Sequence, residues 1–237
     1  MLPKYLLLAV LLGAAYPALA QADDHLTPPT DAFMDDAELW TYRVELGRKL
    51  GVGRTHLPLV QVTVMPSFEP EYLLSVAQTG MNYTLTYRKA TKNLWHASPH
   101  KVLANVTFLD PHGNTLTPPK PRIVPDSVQI TTEQVLLQPR LAQALTDLFN
   151  VALAQTRYAN NDLLRIDGTT FTFIARNEQL VYRSGNTWSP RPGTHMAALV
   201  KLVDGLQDLA THSDNRDFRQ GILLSEAQDL LFDLAKR

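Results

Sequence analysis

Residues 59–88 read LVQVTVMPSFEPEYLLSVAQTGMNYTLTYR, and the alternation in this stretch decides the fold class. Val60, Val62 and Val64 alternate with Gln61 and Thr63, and Tyr83, Leu85 and Tyr87 alternate with threonines. Apolar β-branched and aromatic residues at period two suit a pleated surface buried on one side, so both runs are predicted strands. Between them, Tyr72 to Gln78 follows a proline-bounded turn, and Gln78-Thr79-Gly80-Met81 supplies a tight connection. Connections this short cannot hold a crossover helix, so the three strands are expected to be antiparallel neighbours.

Working outward, Trp40, Tyr42, Val44 and Leu46 alternate with Thr41, Arg43 and Glu45, which predicts a further strand from Leu39 to Leu46. A helical stripe through Phe33, Ala37, Trp40 and Val44 competes with that reading, and a short helical turn at Asp31 to Glu38 is compatible with either. Gly47, Gly51 and Gly53 mark a loop. Lys101 to Leu109 reads as another strand, with Val102, Ala104, Val106 and Phe108 on one face, ending in the turn Asp110-Pro111-His112-Gly113-Asn114. Pro118, Pro119, Pro121 and Pro125 mark an extended connection, the expected seam between two halves, and Ser127 to Thr132 is expected to close the sheet.

The back half is richer in helix. Pro139 suits a first helical turn, and Leu141, Leu145, Leu148, Phe149 and Ala152 then recur on one face as far as about Arg157. Asp167-Gly168 leads into a hairpin carrying Phe171 and Phe173, with Leu180 and Tyr182 on its return strand. A second helix turns Met196, Leu199, Val200, Val203, Leu206 and Ala210 inward and Lys201, Asp204, Gln207 and Asp208 outward. Ser225 to Gln228 has capping-box spacing and predicts the start of a terminal helix. The expected class is α+β. An antiparallel sheet, meander or sandwich-like, is expected over residues 31–125 and a hairpin with helices over 126–237, as two regions or as one continuous domain.

One resemblance rests on Thr156-Arg157-Tyr158, Asp167-Gly168-Thr169-Thr170-Phe171 and Thr187-Trp188-Ser189-Pro190-Arg191-Pro192-Gly193. Together these resemble a signature of uncharacterised exported bacterial proteins, over about residues 145 to 210. The resemblance implies export and carries no activity.

The first residues carry an address. Lys4 precedes an apolar run from Tyr5 to Ala15 that Pro17 breaks, and Ala18-Leu19-Ala20 offers small residues where a signal peptidase reads. The run is shorter than the roughly 20 residues of a spanning helix. Cleavage is therefore expected after Ala20, leaving Gln21 at the mature N-terminus and a flexible leader over residues 21–30. There is no cysteine, so disulfides and a lipid-carrying cysteine are excluded, and a periplasmic protein stabilised by packing is expected. Cleavage would remove Lys4, one of 22 basic residues set against 23 acidic ones. That near-balance predicts neither nucleic acid nor an anionic membrane as a partner.

Several chemical motifs can be weighed on local structure. Ser98-Pro99-His100-Lys101 and Ser213-Asp214-Asn215 have the spacing of elements found in penicillin-recognising enzymes. Their serine must open a helix, whereas Pro99 intervenes here and Lys101 begins a period-two run, so the match is rejected. Ser184 lacks the glycines of a nucleophile elbow. His96, His100, Asp110 and His112 are weak metal-ligand candidates, because Pro99 denies the first two a shared helical face. No metal site or cofactor is therefore expected. Glu69 with Glu71, and Asp204 with Asp208, are the paired acids; a glycosidase would need such groups across a cleft. Trp188 is expected to plug the core beneath the final helices. Trp95 with Arg88, Lys89 and Lys92 is the candidate exposed contact, suited to an acidic partner.

Two function classes remain. The favoured one is a non-catalytic exported protein that binds a protein or envelope component, such as an accessory or toxin-immunity protein. The alternative is a hydrolase acting on a cell-envelope polymer.

Overall fold

The computed structural model describes residues 24–29, 37–51, 58–97, 108–109, 115–116, 127–158, 167–177 and 179–237. The alternating stretch forms β1 (Val60–Pro66), β2 (Tyr72–Thr79) and β3 (Asn82–Ala90), an antiparallel meander in which Val62 faces Leu74 and Leu74 faces Tyr87. Beyond the meander lie β6 (Ile130–Leu137) and the hairpin β7 (Thr169–Arg176) and β8 (Tyr182–Trp188). One six-stranded sheet results, in the order β6-β3-β2-β1-β7-β8, antiparallel at every pairing. A two-residue pair, β4 (Phe108–Leu109) with β5 (Thr115–Leu116), stands apart from it.

The sheet joins the two halves of the chain. β1 pairs with β2 on one side and with β7 on the other, so the C-terminal hairpin extends the N-terminal meander. Three helices cover one face: α3 (Pro139–Ala154), α4 (His195–Thr211) and α5 (Arg216–Ala235). Val60, Val62 and Val64 of β1, Leu74, Leu85, Phe171 and Phe173 bury against Leu145, Leu148, Leu199, Leu206 and Leu230 in one continuous core. Period two in the strands and period 3.6 in the helices present apolar faces to each other, and neither layer could exclude water alone.

The opposite face carries a smaller core, built by α1 (Ala37–Leu50) and the short α2 (Leu94–Ala97). Here the strand expected over Leu39 to Leu46 is corrected to a helix. Tyr42, Leu46 and Leu50 recur every four residues and pack with Leu73, Ala90, Leu94 and Val128. Val44, which the alternating pattern would bury with them, is 48 % exposed. Leu50 lies outside the window that suggested a strand, and it completes the helical stripe. Arg48 and Lys49 occupy the last turn, where cations oppose the helix dipole, and Arg48 pairs with Glu45 at 2.9 Å.

Five other expectations change. Residues 24–29 are not a loose leader: Leu26 is wholly buried, Thr27 forms a bridge to Asn186 on the β8 edge, and Asp24 meets the start of α4. The terminal helix begins at Arg216, not Ser225, because Gln220, Leu223, Ala227, Leu230 and Leu234 make one buried stripe that spans the capping-box residues. Leu180, expected on the return strand of the hairpin, sits in its turn at φ +62° and is exposed. Trp188 lies half-buried on the sheet face away from α3 to α5. It pairs with Thr170, and the hairpin's alternation turns the neighbouring Thr187 and Phe171 towards the helices. Its indole packs over Gly168, where an added Cβ would come within 2.7 Å of the ring. The closing strand runs later than Ser127 to Thr132, from Ile130 to Leu137. Of the strand expected over Lys101 to Leu109, only Phe108–Leu109 falls among the described residues, and the proline-rich seam lies outside them.

Candidate functional site

The end of β1, the loop after it, and α4 enclose a cleft of about 390 Å³ on the helical side of the sheet. Val64, Pro66 and Phe171 supply apolar wall; Tyr72, Lys89, Asp204 and Gln207 supply polar groups; Phe68 and Glu69 stand at the rim. Each is placed by its element. Tyr72 and Lys89 are register partners on adjacent strands, so their side chains leave the sheet side by side. Asp204 and Gln207 are three apart on α4 and share a helical edge. Leu202, Val203 and Leu206 bury the rest of that helix and fix its rotation.

The loop is pinned from both sides. Ser67 donates its hydroxyl to the Gly168 carbonyl at 2.8 Å and accepts the Gly168 N–H at 3.0 Å. Its oxygen is thereby committed to structure. Gly168 has φ +149°, a conformation side chains rarely adopt, and this lets the chain turn into β7 against Trp188 and Ser189. Phe68 is 72 % exposed and stacks nearly parallel to His96, with ring centres 6.4 Å apart. The two rings form a flat aromatic ledge at the cleft mouth.

The electrostatics single out this cleft. Burial, reinforced by the nearby carboxylates of Asp204 and Glu69, raises the Tyr72 phenol well above its ordinary value, and burial raises Tyr87 to about 12. Both are hydrogen-bond donors at physiological pH. Partial burial also raises the Asp204 carboxyl, and among the described residues no hydrogen bond or cation opposes it. Among the described residues, Glu69, Lys89 and Asp204 form no ion pair.

The paired acids separate in an instructive way. Glu69 and Asp204, one from each pair, line the common cleft. Their former partners are occupied elsewhere. Glu71 is fully buried and accepts from the Tyr42 hydroxyl at 2.6 Å and from the Leu94 and Trp95 N–H groups at 2.6 and 3.2 Å, so it caps α2 and ties it to α1. Asp208 pairs with Arg219 and with His212. Sequence spacing could not reveal the Glu69–Asp204 pairing, because 135 residues and a sheet register separate them.

The basic and aromatic contact patch expected at Arg88, Lys89, Lys92 and Trp95 does not assemble as one surface. Arg88 and Lys89 point to opposite faces of β3: Arg88 donates to the Leu50 carbonyl at 3.0 Å, ending α1, while Lys89 enters the cleft. Lys92 is exposed in a turn. Trp95 is half-buried and meets Tyr42 edge to face at 5.1 Å. Of the four, Lys89 belongs to the candidate site.

His96 is exposed and its Nε2 lies 3.2 Å from the Ser67 carbonyl, while His100, Asp110 and His112 fall outside the described residues. No group of three metal-ligating side chains occurs among the described residues. Ser98 to Lys101 also lies outside them, and Ser213 to Asn215 forms the exposed turn from α4 to α5. Another cluster joins Asp24 to the start of α4 and to Arg237. The Asp24 carboxylate accepts from the His195 and Met196 N–H groups at the start of α4, and it contacts the His195 ring and the Arg237 guanidinium. Burial would raise the Asp24 carboxyl, but these hydrogen bonds outweigh it and hold it below its ordinary value.

No described helix is long and apolar enough to cross a membrane. No family model matches the chain, and comparison with curated proteins and with solved structures returns no match.

Proposed function

We propose that this is a non-catalytic exported protein that binds an envelope component in the Tyr72 cleft. The observation that carries the reading is a set of charged groups that line the cleft without an ion pair among the described residues. Glu69, Lys89 and Asp204 line one cleft and make no ion pair among the described residues, although a fold gains by pairing charges it partly desolvates. A ligand supplies the missing partners. The cleft also has the mixed composition of a recognition site, with apolar wall, few polar groups and an aromatic ledge. The export part of the reading is supported by the charged and apolar leader of residues 1–20 and the resemblance at residues 145–210, and an exported protein would meet its ligand in the cell envelope.

A second reading, a hydrolase of an envelope polymer, draws on one specific feature. Asp204 is raised by burial and would serve as the acid, with Glu69 at the rim as its base. The Ser67 hydroxyl is held by Gly168 on both its donor and acceptor sides, so a serine nucleophile finds no support in this cleft.

One experiment separates these readings. The chain from Gln21 onward is purified from the periplasm of an expressing bacterium and mixed with a soluble digest of bacterial cell-wall polymer. Binding is followed by calorimetry and bond cleavage by product analysis. The binding reading expects saturable heat, lost at least tenfold in a Lys89→Gln/Asp204→Asn double variant, and an unchanged digest. New cleavage products that vanish in Asp204→Asn would establish the hydrolase instead. Absence of both heat and products would overturn both readings.

A further inference from the structure

We infer that the cleft recognises a small zwitterionic ligand, a short peptide with a free ammonium and a free carboxylate. This inference rests on the binding reading above and narrows its ligand. The two signs of charge line one cleft: Lys89 is the register partner of Tyr72 on the neighbouring strand, and Asp204 from α4 and Glu69 from the loop after β1 line the same space. Tyr72, Lys89, Asp204 and Glu69 thus line one cleft, a cation and two carboxylates together. Lys89 does not neutralise either acid, although all three line the cleft.

A neutral ligand would leave all three charges dependent on water, and an anionic or cationic one would satisfy a single sign. A ligand bearing both satisfies Lys89 with its carboxylate and Asp204 and Glu69 with its ammonium. The Tyr72 hydroxyl, a fixed donor, and the Gln207 amide remain for a peptide unit between the ends. The volume of about 390 Å³ suits two or three residues. Phe68, exposed and stacked on His96, offers an aromatic or apolar side chain a surface at the mouth.

The test uses the chain from Gln21 onward and five probes: L-alanyl-L-phenylalanine, its N-acetyl form, its C-terminal amide, an N-acetylglucosamine trisaccharide, and the cell-wall digest. Calorimetry should show the free dipeptide binding, with at least a tenfold loss on blocking either end. The variants assign the ends. Lys89→Gln should erase the preference for acid over amide while keeping that for free over acetylated amine, and an Asp204→Asn/Glu69→Gln double variant should do the reverse. Phe68→Ala should weaken the dipeptide without changing either preference. Melting curves confirm that each variant is folded.

Equal binding of free and blocked dipeptides, or preferences that survive both charge substitutions, would overturn the inference. If the trisaccharide or the digest binds and the dipeptide does not, the zwitterion is refuted and the binding protein stands. If no probe binds, both are refuted.

Discussion

Asp204 and Asp24 show how one residue type acquires opposite roles. Burial raises Asp204 with no compensating partner among the described residues, so its folded form holds its proton more tightly than the unfolded chain does. Stability from this group is present below the ordinary carboxylate range and is lost as pH rises through the raised value. Asp204→Asn should therefore melt higher than the parent at pH 7, and the advantage should disappear near pH 3; calorimetric melting at both values checks this. Asp24 is the converse case. Hydrogen bonds hold it below the ordinary value of 3.8, so its stabilisation is present above pH 4 and is lost as pH falls through the lowered value. Asp24→Asn should cost about 2 kcal/mol at pH 7, since it weakens charge-assisted bonds to α4 and to Arg237. Urea titrations at pH 7 and pH 3 should show that difference shrinking on acidification. A group that lowers stability when ionised belongs to recognition more naturally than to architecture, and Asp204 is such a group.

At the scale of elements, residues 24–29 are a docked segment held to the β8 edge by a single bridge at Thr27 and anchored by one side chain. Leu26 enters the core beside Gly185, where an added Cβ would lie 3.0 Å from the Leu26 Cβ and 3.1 Å from Leu153. The bare glycine on β8 makes room for that leucine. Leu26→Ala should destabilise by about 3 kcal/mol, as for other fully buried leucines, and should lower the melting temperature by several degrees. Its loss should also increase protease cleavage near residue 24, because Thr27 and Asp24 are held in place by the same anchor. A mean loss under about 1 kcal/mol would show that the segment is only loosely docked. The helix α1 makes a related point: its identity depends on Leu50, beyond the stretch where alternation and helical spacing compete.

For the whole molecule, the decisive fact is that β1 stands between strands drawn from both halves. Residues 21–125 alone would expose the β1 edge that pairs with β7 and the apolar face that α3, α4 and α5 cover. Residues 126–237 alone would leave those helices without a sheet. Neither fragment should show a cooperative melting transition by circular dichroism, and co-expression should recover a soluble pair; a cooperative transition in either fragment would refute the single cooperative unit. Much of this architecture was legible in the sequence. Period two over residues 60–88 and in Phe171 and Phe173, and period 3.6 over Leu141 to Ala152, are local consequences of which face is buried, so α+β class and most elements followed from them. Three kinds of feature were not legible. The identity of α1 and the start of α5 depended on stripes extending past the local signal, and the docking of Leu26 depended on a gap left by a distant glycine. The candidate site depended on register: Lys89 and Tyr72 become neighbours by strand pairing, and Glu69 and Asp204 come to line one cleft because helix packing sets α4 over the end of β1. Local sequence determines which face of an element avoids water. Only tertiary packing decides which polar groups then meet across a cleft, because that depends on the relative placement of elements far apart in the chain.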